Sequence, residues 1–279
     1  MKNQIYTCLW FDGQAKDAGS FYCSVFSNSG IISENPVVVE FELEGERFIS
    51  INGGPEFSFN PSASLFVTCD TDEEVRYYWD KLSDGGSVLM PLAKYEWSEN
   101  YGWCTDKFGV NWQIYKGKMS EVNQRIVPLL LFADKQLGNA EKAVRFYTSL
   151  FQNSEIQGIL HYGKDRPELE GNVMHSQFIL NGKVFMAMDA DGNHEMNFNE
   201  AFSFVVECDS QEEIDFYWNA ITNEGEESMC GWCKDKFGVS WQIIPSVLKE
   251  LMSDPETRKK TTEAFMKMKK FEIEKLLNP

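Results

Sequence analysis

The residues best able to do chemistry are few and unevenly placed. All three histidines, His161, His175 and His194, fall in the second half of the chain. With Asp189, His175 and His194 would offer imidazole and carboxylate ligands to a divalent cation and leave positions open for substrate oxygens. Against that, His161 in Leu160–Lys164 and His194 in Asp191-Gly192-Asn193-His194 read as solvated loop residues, and His175 opens a strand. Cys230-Gly-Trp-Cys233 has the spacing of a redox or zinc hairpin, but no second CxxC or HxxxH accompanies it. Seven cysteines, an odd number thinly spread, read as reduced thiols and not as a secreted disulfide framework. Glu73-Glu74 and Glu212-Glu213 read as charges at helix N-termini, because adjacent helical residues diverge and cannot form a glycosidase pair. Lys107 and Lys236 sit in Asp-Lys-Phe-Gly turns as solvated charges. No Gly-x-Ser-x-Gly elbow and no Cys, His and Asp nucleophile set is visible, so no catalytic residue is assigned.

Behind these residues stands a duplicated scaffold. Phe21–Ser29 returns as Phe146–Ser154, a shift of 125, and Cys69–Glu74 returns as Cys208–Glu213, a shift of 139. Phe41–Gly45 answers Phe178–Gly182, and Gly102–Ile114 meets Gly231–Ile243 at a shift of 129. The changing offsets put insertions in loops, before Phe178 in the second half and between Gly86 and Tyr101 in the first. Each copy reads as strand, amphipathic helix and three strands, written twice, which predicts four βαβββ modules in the chain. In the first copy the helices are expected over Ala15–Phe26 and from about Glu73 to Leu82, the latter capped by Asp70 or Thr71. Period-2 alternation on the last strand puts Val110, Trp112 and Ile114 under the helices and Asn111 and Gln113 on the opposite face. Ser240 and Gln242 are their counterparts in the second copy.

The 279 residues carry 43 acidic and 26 basic side chains, a net charge of −17. Such a surface repels phosphates, so neither nucleic acid nor an anionic membrane is an expected partner. The longest apolar stretches, such as Ile126–Ala133, fall short of the roughly 20 residues of a membrane helix, and a cytoplasmic location is expected. The tail from Pro245 is mildly basic, with 8 basic and 6 acidic residues. Ser253-Asp254-Pro255-Glu256 is expected to open a helix whose neighbourhood (Phe265, Met266, Met268, Phe271) docks on the body of the chain.

Leu9-Trp10-Phe11-Asp12-Gly13-Gln14-Ala15, Asn52-Gly53-Gly54-Pro55 and Asp106-Lys107-Phe108-Gly109-Val110-Asn111-Trp112-Gln113 resemble the PhnB-like branch of the vicinal oxygen chelate superfamily, to which glyoxalase I and bleomycin-resistance proteins belong. The resemblance implies an α+β chain of tandem domains, 1–118 and 127–246, followed by a helical tail, 247–279. Each domain would comprise two βαβββ modules forming an open, cup-shaped sheet, and the two would pair as a pseudo-dimer within one chain, with a homodimer as a further option. The branch is also labelled 3-demethylubiquinone methyltransferase. No GxGxxG-like turn for a nucleotide methyl donor occurs, and Asn52-Gly53-Gly54-Pro55 leads into a Pro- and Phe-rich loop.

Enzymes of that superfamily hold a divalent metal through His and Glu side chains in the cup. At the corresponding positions this chain has Gln113 and Gln242 on the last strands and Ser64 and Ser203 on the strands opening the second modules. The first strands offer Thr7–Trp10 and Pro128–Phe132, and the strand before the central loop ends in Asn52 or Asp189. Amides and hydroxyls are weak ligands for an ion. The expectation is therefore a binder of a small organic molecule with no cofactor, no metal and no enzymatic role, using Trp10, Asn52, Ser64, Trp103, Gln113, Asp189, Ser203, Trp232 and Gln242 as candidate contacts. The alternatives are a metal-dependent lyase, isomerase or dioxygenase built on His175, Asp189 and His194, and a purely structural pseudo-dimer.

Overall fold

A computed structural model of the chain describes residues 4–191 and 197–278. The first module comprises β1 (Gln4–Phe11), α1 (Ala15–Val25), β2 (Gly30–Glu34), β3 (Val38–Leu43) and β4 (Glu46–Asn52). The second comprises β5 (Ala63–Cys69), α2 (Asp72–Leu82), β6 (Ser87–Tyr95), β7 (Ser98–Thr105) and β8 (Asn111–Lys116), and the short α3 (Met119–Val122) follows it. The second copy repeats the order with β9 (Ile126–Phe132), α4 (Ala140–Leu150), β10 (Glu155–His161), β11 (Val173–Leu180) and β12 (Lys183–Asp189). It ends with β13 (Phe202–Cys208), α5 (Gln211–Thr222), β14 (Glu226–Glu227), β15 (Trp232–Lys234) and β16 (Ser240–Pro245). Three tail helices close the chain, α6 (Val247–Ser253), α7 (Pro255–Phe265) and α8 (Ile273–Leu277). The four-module reading holds, and each module carries three strands after its helix, those of the fourth beginning with the two-residue β14 and the three-residue β15. His161 ends a strand instead of lying in a loop, with its Nε2 2.8 Å from Glu141 Oε2.

Local chemistry explains the helix ends. Thr71 Oγ1 accepts from the Glu74 N–H while the Glu74 carboxylate accepts from the Asp70 N–H, two otherwise orphaned donors satisfied together. Ser210, Glu213 and Asp209 repeat this in the second copy, which accounts for the second acid of each pair. Asp254 caps α7 with Pro255 at its first position. The Asp-Lys-Phe-Gly-Val turns are locked by their aspartates. Asp106 Oδ1 accepts from the N–H groups of Phe108 and Val110, and Oδ2 from Trp112 Nε1 and the Tyr22 hydroxyl. Asp235 does the same for Phe237, Val239 and Trp241. Gly109 and Gly238 sit at φ of +89° and +86°, where a side chain is strained.

The chain divides into two compact units, 8–202 and 1–7 with 203–279. The larger holds one complete eight-stranded sheet in the order β10-β11-β12-β9-β5-β8-β7-β6. Its middle is the antiparallel pair β5·β9, with Ala63 opposite Leu130 and Val67 opposite Ile126. One sheet thus takes its modules from both copies: the second module of the first and the first module of the second. The same larger unit also carries β4-β3-β2, and the smaller unit carries β14-β15-β16-β13. The linker is fastened to the β5·β9 seam. Gln124 is buried, donates to the Ile126 and Val184 carbonyls and accepts from the Val184 N–H, and Arg125 reaches the Thr68 carbonyl and Glu74. Trp112, Ile114 and Leu65 lie beneath the helices, fully buried. No helix among the described residues is long and apolar enough to cross a membrane.

Candidate functional site

The concave face of the sheet centred on β5·β9 brings together side chains from seven of its strands. Alternation assigns them: Phe66 from β5, Tyr101 from β7, Val127, Leu129 and Leu131 from β9, and Val184 and Met186 from β12 form one buried apolar cluster. Met90, Tyr95, Trp103, Tyr115 and Ile179 pack against it. Backbone register lines up a row across the face, from Gln177 through Met186, Leu129 and Ser64, and a second from Phe66 through Gln113 and Trp103 to Met90.

Polar groups on this face are mostly committed to one another. Gln113 Oε1 accepts from the Tyr101 hydroxyl at 2.7 Å, and Nε2 donates to Ser64 Oγ at 3.0 Å. All three are buried, so both ends of the amide are satisfied, as a buried amide requires. Burial pushes the Tyr101 phenol well above its ordinary range, keeping it neutral and donating. Two groups differ. Trp103 Nε1 is buried and has no hydrogen-bond partner among the described residues. His175, on β11, lies with its ring 6.5 Å from that of Phe66, and desolvation holds its imidazole below the ordinary histidine range, hence neutral at pH 7.

The other sequence-predicted contacts sort differently. Asn52 Oδ1 accepts from the Ala15 N–H at the start of α1, while its Nδ2 donates to the Pro36 carbonyl. Asp189 is its counterpart. Its Oδ1 accepts from Gly138 and Ala140 and its Oδ2 from Val173, so it caps α4 and ties β12 to β11. Burial raises the Asp189 carboxyl, against the amides that favour its charged form. His175 and Asp189 therefore serve different surroundings, the apolar cluster and the helix end, and His194 lies outside the described residues. Trp10 donates from Nε1 to the Gly54 carbonyl and packs on Phe57. A side chain at Gly53 would run into the Trp10 indole 2.1 Å away, so this glycine allows close packing in a turn. In the smaller unit Gln242 donates to Ser203 Oγ at 3.0 Å, and Trp232 stands opposite Gln242 in the β15·β16 register. Cys230 is half-buried and Cys233 buried, both free thiols.

Reading of the sequence passed over Tyr101, Phe66, Leu129 and Met186. Tyr101 was signalled by the repeat itself. The position preceding Gly102 holds tyrosine, whereas that preceding Gly231 holds Cys230.

The donor set can be tested against a divalent ion. The amide and hydroxyl nearest the centre of the face bond each other, and their row neighbours Leu129 and Met186 are apolar. No group of three or more His, Cys, Asp or Glu side chains among the described residues is arranged to hold a metal ion. These residues do not fit one.

Paired βαβββ modules in curved, mixed eight-stranded sheets define the vicinal oxygen chelate class. A glyoxalase I mutant from Zea mays shares that fold, with a TM-score of 0.58 and 9% identity over 89% of this chain and 95% of its own. The family model described as 3-demethylubiquinone-9 3-methyltransferase matches residues 3–115 and again 124–244, and the chain belongs to that family, carrying it in tandem. A putative 3-demethylubiquinone-9 3-methyltransferase, the PhnB protein from Bacillus cereus, is 37% identical, covering 40% of this chain and 98% of its own, at a TM-score of 0.38. A protein from Staphylococcus aureus is 32% identical over 41% and 96%, at a TM-score of 0.20. No curated protein matches the chain.

Proposed function

We propose that this protein binds a small organic molecule on the concave face of the sheet centred on β5·β9, without a metal ion and without catalysing a reaction. The observation that carries the reading is the commitment of Gln113 to Tyr101 and Ser64 within an otherwise apolar face. An apolar concavity with a few placed polar groups suits an organic ligand, whereas a cation needs ligands with free lone pairs. The methyltransferase wording of the family name gains no support from Asn52-Gly53-Gly54-Pro55, since Asn52 caps α1 and Gly53 packs under Trp10. Residues 1–118 and 127–246 are read as the units of duplication and 247–279 as an appended tail. A cytoplasmic setting, with nucleic acid and membranes excluded as partners by the charge of −17, completes the proposal.

The test is elemental analysis of protein purified without chelator, alongside methyl NMR of Leu129 and Met186 during a screen of small molecules. Less than one-tenth of a metal per chain, and methyl shifts with at least one organic compound, are expected. Stoichiometric zinc, nickel, manganese or iron that is lost in Gln113→Ala or His175→Ala would overturn the reading in favour of metal-dependent chemistry.

A further inference from the structure

The β6–β7 hairpin carries a feature that small-molecule binding in general does not require. Near its turn Tyr95 and Trp97 stack with ring centroids 5.1 Å apart and planes 22° apart, and both meet Tyr101 edge-on, at 5.7 and 6.0 Å. Tyr95 packs against the apolar cluster, while Trp97 keeps 57% of its surface in solvent. An exposed tryptophan stacked on a half-buried tyrosine is a costly surface, because apolar area of this kind is normally removed from water. Both phenol hydroxyls of the group are already used. The Tyr95 hydroxyl donates to the Pro91 carbonyl and the Tyr101 hydroxyl to Gln113, which leaves in this group only the indole N–H of Trp97, on a side chain already in contact with water. A buried donor without a partner lies deeper, at Trp103 Nε1, on a residue that stands beside Gln113 in the β7·β8 register.

A buried indole N–H without a partner loses the full desolvation cost of a donor, so a group arriving from outside gains by supplying an acceptor. Lys94, the cation on the hairpin, is already held by the Glu99 carboxylate at 2.8 Å, and His175, kept neutral by burial, adds no positive charge to attract a carboxylate. Resting on the small-molecule reading above, we infer that the ligand is an uncharged, flat aromatic compound bearing a carbonyl, its ring against the Tyr95, Trp97 and Tyr101 group and its oxygen on Trp103 Nε1. The second copy lacks this equipment. Its strands β14 and β15 have two and three residues, and Cys230 stands where the first copy has Tyr101.

Three probes separate the two parts of the inference: 2-acetylnaphthalene, with ring and carbonyl; 2-ethylnaphthalene, with the ring alone; and cyclohexyl methyl ketone, with the carbonyl alone. Titrations of the full chain are followed by the Leu129 and Met186 methyl signals and by the Trp103 indole N–H. We expect 2-acetylnaphthalene to bind about tenfold more tightly than either partial probe, the worth of one hydrogen bond to a buried donor. It should shift the Trp103 N–H downfield, and Trp103→Phe should remove its advantage over 2-ethylnaphthalene. Trp97→Ala, at a position 57% exposed, should weaken both naphthalenes by a similar factor. Equal binding of the two naphthalenes to the native protein, or binding of the aliphatic ketone as tight as that of 2-acetylnaphthalene, overturns the ligand class while methyl shifts uphold the small-molecule reading. If these probes leave the methyls unmoved but other compounds in the wider screen shift them, the class alone fails. If no compound shifts them, the small-molecule reading falls as well.

Discussion

The second modules of the two copies start from nearly the same sequence and finish their sheets in different ways. In the first copy β6 and β7, nine and eight residues long, make a hairpin that brings Tyr101 to Gln113 and sets Trp97 in solvent. In the second the same stretch shrinks to β14 and β15, and the C-terminal tail lies against it, with the Cys230 and Gly231 N–H groups donating to the Met268 and Lys269 carbonyls, both at 2.7 Å. Phe271 and Met268 are buried there, and a side chain on Gly231 would meet the Phe271 ring at 2.5 Å. Gln211 holds both ends of the passage, donating to the Phe271 carbonyl and accepting from the Ile273 N–H. Yet the Asp-Lys-Phe-Gly-Val turns and the capping arrangements of α2 and α5 are the same in both. A sheet's core tolerates two quite different edges, and in this chain the difference between the second modules resides at the edge.

Phe271→Ala gives the largest expected effect. Removing a ring that is 1% exposed should cost the smaller unit about 3–5 kcal/mol, read from its urea midpoint. A loss under about 1 kcal/mol would mean that the tail is an ornament and not the replacement for the hairpin. Next come the two glutamines. Gln113→Leu strands the buried Tyr101 hydroxyl and the Ser64 hydroxyl and should cost about 2 kcal/mol. Gln242→Leu removes the bond to Ser203 and should cost about 1 kcal/mol. Equal losses in a denaturation series would break the contrast between the copies.

The smallest effect is a pH dependence from His175. Its folded pKa lies below the unfolded value, so between the two the unfolded chain holds the extra proton and stability falls as pH drops below about 6.5, at up to about 1.4 kcal/mol per pH unit. Comparing unfolding midpoints at pH 7.5 and 5.5 in the native protein and in His175→Gln should show a steeper loss in the native form. Parallel losses would place the imidazole in solvent, away from Phe66.

Much of this was legible in the residues because it is local. The capping of α2 is written within Asp70–Glu74, and the alternation of Val110–Ile114 correctly assigns Trp112 to the helix side and Gln113 to the concave face. The tail helix was readable from Asp254-Pro255. Other roles depend on partners far along the chain. Asn52 and Asp189 look like pocket residues at a strand end, but their hydrogen bonds run to backbone groups that only the folded loops bring near, at Ala15 and Pro36 or at Gly138, Ala140 and Val173. Tyr101 stands out in the repeat, but its bond to Gln113 depends on β7 pairing with β8 so that Tyr101 and Trp103 lie beside Tyr115 and Gln113.

By itself the sequence determined the duplication, the four modules, the two faces of each strand and the poverty of metal-binding side chains at the centre of the sheets, since these follow from composition and from periods of two and 3.6 residues. Tertiary structure decided that β5 meets β9 across the Lys116–Arg125 linker, so that one concave face is furnished by both copies. Strand pairing is a choice among edges of similar chemistry, and it is settled by which long-range arrangement buries the most apolar surface with every backbone group bonded.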